Sequence, residues 1–502
     1  MTAVSLGLGL LAPAILLAQT PPLTGLDQYI TTSMRAWNAP GLAVAVVKDG
    51  KVVVAKGDGI REVGRPDPVT ERTLFAIGSA TKSFTAAAAG ILVTEGRLGW
   101  DDRVTKHLPS FEMADPYVTR EVTVRDLLTH RTGVSGGDLL WASGGFDREE
   151  IVRRIRFVPQ TWGLRSRFDY SNIMFIAAGQ VVAAASGRSW DTFVRERILT
   201  PLGMTATTTS VRDLPQGGGG GDVATPHEPI AGTATPVAWR NMDNTVAGGG
   251  INSNVAEMAT WLRLQLGNGV LDGRRLLSEA YIRESRTPQT IIRREGAWEE
   301  MTPDAHFMTY GFGWIMSDYH GRQLLQHGGG IDGMSAMVGL LPEENLGIVV
   351  LTNLNGNLIP GALMYRVFDA YLGRPPLDWS ERARVASVAA EKAAEEALRK
   401  ELAARRVTGT TPTLPLERYV GRYRHPAWGD LVVRLEGGKL VAEYGTEFVG
   451  ELEHVQFDSW RARWRNPARG ADYLNFTIDA RREAARVDLY LWVTATFDRV
   501  GQ

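Results

Sequence analysis

Strand-like runs stand at the two ends of a long stretch of this chain and are scarce inside it, which limits the folds open to it. Near the start, LAVAVV (Leu42 to Val47) and KVVVAKG (Lys51 to Gly57) flank Lys48-Asp49-Gly50. Asp-Gly between apolar runs is a strong hairpin signal, because both turn positions tolerate positive φ. Strand patterns return in QLLQHGG, SAMVGLLP and LGIVVLTN, with Pro342 to Gly347 as a turn. The residues between read mostly as helix, for example Thr81 to Glu95 and Val124 to Thr129, and a further helix is expected at Leu26 to Trp37. One sheet assembled from both ends and covered by helices is an α/β architecture. A crevice between that sheet and the helical insertion is the natural place for a site.

Two seams bound this main region, expected at residues 21–378. Before it, Ala3 to Ala18 is an uncharged apolar run of 16 residues. It is shorter than the ~20 residues a membrane-spanning helix needs. It reads as the h-region of a secretory signal (residues 1–20), without the usual basic residues ahead of it, and implies export to a periplasm or beyond. After it, SERARVASVAAEKAAEEALRKELAARR is rich in Ala and charge, with acid-first pairs such as Glu395 and Arg399 at i,i+4. That composition predicts a solvated helix, followed by a Thr/Pro linker, together spanning residues 379–412. Alternating runs at Leu431 to Leu435 and Leu440 to Tyr444, with a turn at Glu436-Gly437-Gly438, then predict a small all-β, barrel-like domain at 413–502.

Composition narrows the chemistry. The chain of 502 residues carries 55 Lys+Arg against 56 Asp+Glu and no Cys. The balanced charge and the absence of a basic stripe argue against a nucleic-acid partner. Zero Cys removes disulfides, thiolate metal sites and a cysteine nucleophile. The eight His are scattered and share no metal-ligand spacing, so no metal and no cofactor are expected. The Trp/Arg stretch DSWRARWR reads as a half-buried strand, with Trp460, Ala462 and Trp464 on one face.

The most informative segment is LFAIGSATKSFTAAAAGILVTEGRL. Ser79 and Lys82 form S-x-x-K at the opening of an Ala-rich helix, which places amine and hydroxyl on one face. A serine needs an adjacent base to become a nucleophile, and a lysine serves only if burial or charge depresses its pKa. The apolar flanks Leu74, Phe75, Ile77 and Phe84 argue against an exposed face. Two more polar clusters accompany it. Tyr170-Ser171-Asn172 runs into an apolar helix: Tyr170 suits a proton relay, and Asn172 either binds a substrate carbonyl or holds Lys82, while Ser171 or Asn172 also suits an N-cap. His327-Gly328-Gly329-Gly330 ends an apolar run and is expected to face the substrate and its oxyanion, the glycines allowing close approach to backbone N–H groups; the alternative is a Gly-rich bulge with a solvated histidine.

Together and in this order, these three elements resemble the serine β-lactamase and penicillin-binding-protein superfamily, in its class C-like branch of family VIII esterases and D-peptidases. GLAVAVVKDGKVVVAKGDG, LGWDDRVTKHLPSF, TVRDLLTHRTGV, AGGGINSNVAEMATWL and YGFGW are similar to its recurring blocks, over residues 24 to 372. The resemblance implies a serine hydrolase that cleaves small-molecule ester, peptide or β-lactam substrates through an acyl-enzyme. It makes Ser79 the acylated serine, Lys82 its base, Tyr170 the second base and Asn172 a substrate-facing amide. The N–H groups of Ser79 and Gly330 become the oxyanion hole. The alternative is a penicillin-recognising sensor, acylated without efficient turnover.

The third motif departs from the β-lactamase pattern, where Lys-Thr-Gly or Lys-Ser-Gly engages the carboxylate of the drug. His327 is largely neutral at pH 7 and Gly328 has no hydroxyl, which favours ester or peptide hydrolysis over penicillin hydrolysis. One decoy is set aside. Gly133-Val134-Ser135-Gly136-Gly137 fits G-x-S-x-G, but a nucleophile elbow needs a strand before the serine, and VRDLLTH has helical spacing.

Overall fold

The computed structural model describes residues 22–215, 221–295, 302 and 305–501. The apolar segment Ala3 to Ala18 therefore lies outside the described residues, as does most of the five-glycine run that begins at Gly217.

Helix α1 (Leu26–Trp37) leads into strand β1 (Gly41–Lys48) and strand β2 (Lys51–Gly59). Asp49 and Gly50 have φ of 49° and 73°, the two positive values a tight hairpin demands. After the helical insertion come β3 (Thr290–Ile291), β4 (Met308–Tyr310), β5 (Ile315–Tyr319), β6 (Arg322–Ile331), β7 (Met334–Leu341) and β8 (Leu346–Thr352). They form one antiparallel sheet in the order β2-β1-β8-β7-β6-β5-β4-β3. The N-terminal hairpin thus docks on the last strand of the domain, with Val44 opposite Val350.

The sheet is buried on both faces. Leu42, Val44 and Val46 pack against α1 and against helix α5 (Ile359–Tyr371), while Ala43, Ala45 and Val47 face the helical insertion. This alternation follows from the two-residue period of a strand. In the insertion, α2 (Lys82–Thr94), α3 (Asn172–Ser186) and α4 (Val255–Leu266) share one core, in which Phe84 stacks on Trp261 at 4.0 Å. The all-Ala stretch of α2 lets neighbouring helices approach closely. Gly90 needs the same closeness, because a Cβ there would enter the Tyr281 ring.

Helix α6 (Trp379–Arg405) carries the chain to the C-terminal domain. Eight strands from β9 (Gly421–His425) to β16 (Thr494–Arg499) close into an antiparallel barrel filled by Tyr423, Tyr444, Phe448, Phe476 and Phe497. On strand Ser459–Trp464, Trp460, Ala462 and Trp464 point inward, and Arg463 pairs outside with Glu453 at 2.5 Å. The barrel lies against the helical insertion. Thr446 donates its N–H to the Ser143 carbonyl at 2.9 Å, Arg154 reaches the Pro426 carbonyl at 2.7 Å, and Gly136 abuts Val493.

Candidate active site

The nucleophile turn comes first. Phe75–Ala76 is a short strand, after which Gly78 takes φ of 51° and Gly78–Thr81 makes one 3-10 turn that opens into α2. Ser79 is half-buried at this turn, and Lys82, the first residue of α2, is completely buried.

Lys82 Nζ lies 3.1 Å from Ser79 Oγ, 2.7 Å from Asn172 Oδ1 and 2.7 Å from the Gly248 carbonyl oxygen. Asn172 Nδ2 donates to Asp138 Oδ2 at 3.0 Å. Because a carboxylate only accepts, this contact fixes the orientation of the amide and turns its oxygen toward Lys82. When charged, Lys82 donates to Ser79 Oγ as well; when neutral, the Asn172 and Gly248 oxygens take its two N–H bonds and leave its lone pair for the Ser79 hydroxyl. Burial pushes the Lys82 pKa down to about 7, with Asp138 pulling the other way. The carboxylate is held at one remove by Asn172, and among the described residues no acidic group touches the amine directly.

Tyr170 completes this side. Its ring lies 4.8 Å from Lys82 Nζ. The residue as a whole is 37% exposed, and withdrawal of its hydroxyl from water raises the phenol pKa well above its ordinary value, with the neighbouring Ser79 opposing. The ring stacks on His130 at 4.2 Å, and His130 Nδ1 accepts the Ser171 N–H at 3.1 Å. Ser171 is the N-cap of α3 but makes no side-chain capping bond. One buried histidine therefore holds the Tyr170-Ser171 segment by its ring face and by its nitrogen.

Strand β6 forms the opposite wall. At Gly329 an added Cβ would collide with the Ile77 carbonyl and stand 3.1 Å from the Ser79 nitrogen; at Gly78 it would stand 2.8 Å from the Gly330 nitrogen. Only two glycines let strand and turn come this close. The backbone nitrogens of Ser79 and Gly330 thereby border the same small space.

His327 departs from a substrate-facing role. It is buried, donates from Nδ1 to the Gly328 carbonyl at 2.7 Å, and accepts the Tyr310 hydroxyl proton at Nε2, 2.9 Å away. Burial, reinforced by the Lys82 charge, pushes its pKa down to about 3, so the ring is neutral. Asn172, for which the family resemblance implied a substrate-facing amide, likewise has both ends engaged within the protein. Ser135 hydrogen-bonds Asp169 in a loop that follows a helix, with no strand leading into it.

Asp138, His130 and Gly248 carry no motif of their own. Asp138 follows two glycines in a stretch that reads as loop, and it also accepts Trp141 Nε1–H at 2.8 Å. A signal was present only in the blocks THRTG and AGGG, which hold His130 and Gly248.

This combination of an antiparallel sheet, a helical insertion and a buried Ser-Lys pair at their junction defines a serine hydrolase of the β-lactamase fold. Residues 26–370 match the Beta-lactamase family model, and the chain belongs to that family. Residues 405–500 match a Domain of unknown function, DUF3471. Among curated relatives, unguisins hydrolase ungD of Aspergillus violaceofuscus is 29% identical over 88% of this chain and 83% of its own length. Penicillin-binding protein 4 of Amycolatopsis lactamdurans is 30% identical over 63% of this chain and 81% of its own. An octameric penicillin-binding protein homologue from Pyrococcus abyssi aligns with a TM-score of 0.62 at 24% identity, covering 95% of this chain and all of the other.

Proposed function

We propose that this hydrolase cleaves esters or amides that lack a carboxylate beside the scissile bond, through an acyl-enzyme on Ser79. The observation that carries the reading is the buried Lys82 amine, 3.1 Å from the Ser79 hydroxyl and depressed to a pKa of about 7. Lys82 takes the hydroxyl proton as Ser79 attacks the carbonyl, forming the Oγ–C bond. The N–H groups of Ser79 and Gly330 hold the oxyanion. Tyr170 hands the proton on to the leaving group, whose bond to the acyl carbon then breaks. Water, deprotonated by the same pair, releases the acid and restores Ser79.

Substrate preference follows from His327. A neutral ring whose two nitrogens are already engaged by Gly328 and Tyr310 offers no cation to a substrate carboxylate. The relative named as an unguisins hydrolase supports hydrolysis as the class of reaction.

The test is Ser79→Ala together with fluorophosphonate labelling of the wild type. Loss of p-nitrophenyl ester hydrolysis by at least ~10⁴-fold, with labelling confined to Ser79, supports the reading. An active Ser79→Ala variant or an unlabelled wild type overturns it. Timed mass spectrometry of the acylated protein distinguishes turnover from a sensor that merely stays acylated.

A further inference from the structure

The turn between β6 and β7 consists of Asp332 and Gly333, two residues beyond Gly330. Its two members are held from different sides. Gly333 donates its N–H to Glu228 at 2.8 Å and accepts from the His227 N–H at 3.0 Å, both within the hydrolase domain. Asp332 instead sits between two arginines. Arg240 of the hydrolase domain lies 3.3 Å from both carboxylate oxygens, and Arg469 of the barrel forks onto the same two oxygens. Arg469 also pairs with Glu447 at 2.9 Å.

The cluster is largely withdrawn from water, with side-chain exposures of 6% for Arg240, 9% for Arg469 and 17% for Asp332. A fork onto a carboxylate fixes direction as well as distance. Arg240 adds a bond to the Ala142 carbonyl at 2.7 Å, next to Ser143, whose carbonyl receives the barrel's Thr446 N–H. The barrel therefore grips both the strand that borders Ser79 and the segment Asp138 to Ser143.

From this we infer that the barrel is a positioning module for catalysis: Arg469, by clamping Asp332, holds the β6–β7 turn and keeps the Gly330 N–H against the Ser79 turn. The inference rests on the assignment of Gly330 as an oxyanion donor. Arg469 and Asp332 are positioning residues, since neither touches the reacting atoms.

The test uses the full chain with Arg469→Gln, Arg469→Lys, Asp332→Asn and the double variant Arg469→Gln/Asp332→Asn. A tilted oxyanion donor weakens the transition state more than the bound substrate, so Arg469→Gln is expected to lower kcat for a p-nitrophenyl ester by about 10-fold while KM changes less than about twofold. Fluorophosphonate labelling slows by the same factor. Arg469→Lys, which keeps the charge and loses the fork, recovers part of the loss and remains informative if Arg469→Gln fails to fold. The double variant is no worse than either single one, because both break the same link. An unchanged kcat, a loss confined to KM, or additive losses overturn the inference. Wild-type labelling at Ser79 tests the underlying function separately, so the two failures are distinguishable.

Discussion

Lys82 beside the Ser79 turn and Arg469 at the β6–β7 turn are both buried basic groups, and their surroundings are opposite. Arg469 meets two carboxylates directly and is locked in the charged form. Lys82 meets an amide oxygen, a backbone carbonyl and a hydroxyl, and its nearest carboxylate, Asp138, stands behind Asn172. Direct pairing offsets the cost of burying a charge, whereas withholding the partner leaves that cost in place and appears as a depressed pKa. The same fold thus uses one cation as a fastener and keeps the other reactive.

Replacing the reactive cation by one that stays charged attacks this contrast most directly. Lys82→Arg retains size and charge but has no lone pair near neutral pH, and kcat/KM for a p-nitrophenyl ester is expected to fall by about 10³-fold. Retained activity would mean that Lys82 is not the base. The next variant makes Lys82 resemble Arg469. Asn172→Asp places a carboxylate on the amine, which favours the ammonium form, so the pH at which activity appears should rise by about one to two units. At pH 7 that is a rate loss of about 10-fold, recovered in alkaline buffer. A loss that persists at high pH would assign Asn172 a direct role with substrate.

The wild-type profile sets the reference. The folded pKa of Lys82 is lowered, so with its neutral form as the proposed base, activity is expected above about pH 7 and is expected to be lost as pH falls through that value. The smallest change is expected from Asp138→Asn. It removes the carboxylate that pulls the Lys82 pKa up, and the acid limb moves to lower pH by less than about one unit. A shift in the opposite direction would show that Asp138 acts chiefly through the orientation of Asn172.

Local chemistry made the skeleton of this molecule legible in its sequence. The Asp49-Gly50 turn, the β6 to β8 runs and the α1 boundaries follow from short-range periodicity and turn residues, and the Ser79-Lys82 spacing is itself local. The Trp460-Ala462-Trp464 alternation likewise announced an ordinary barrel strand. Partnerships between distant segments were not legible. His130 reaches Ser171, Asp138 reaches Asn172, and Arg469 reaches Asp332 across 137 positions, and nothing near any of these residues announces its partner. His327 illustrates the limit most clearly. Its place in HGGG suggested a group facing the substrate, but Tyr310 and burial decide its protonation and direction, and both depend on the folded sheet.

The contact of Gly329 and Gly78 with the opposing backbone also bears on how such a protein changes over generations. A single methyl group at Gly329 would meet the Ile77 carbonyl, so drift at this junction is closed one substitution at a time. Outlying barrel turns such as that at Gly437 and Gly438, where nothing approaches an added Cβ, carry no such contact. New substrate ranges in a lineage with this architecture should therefore arise by exchange of the periphery, around a junction inherited without alteration.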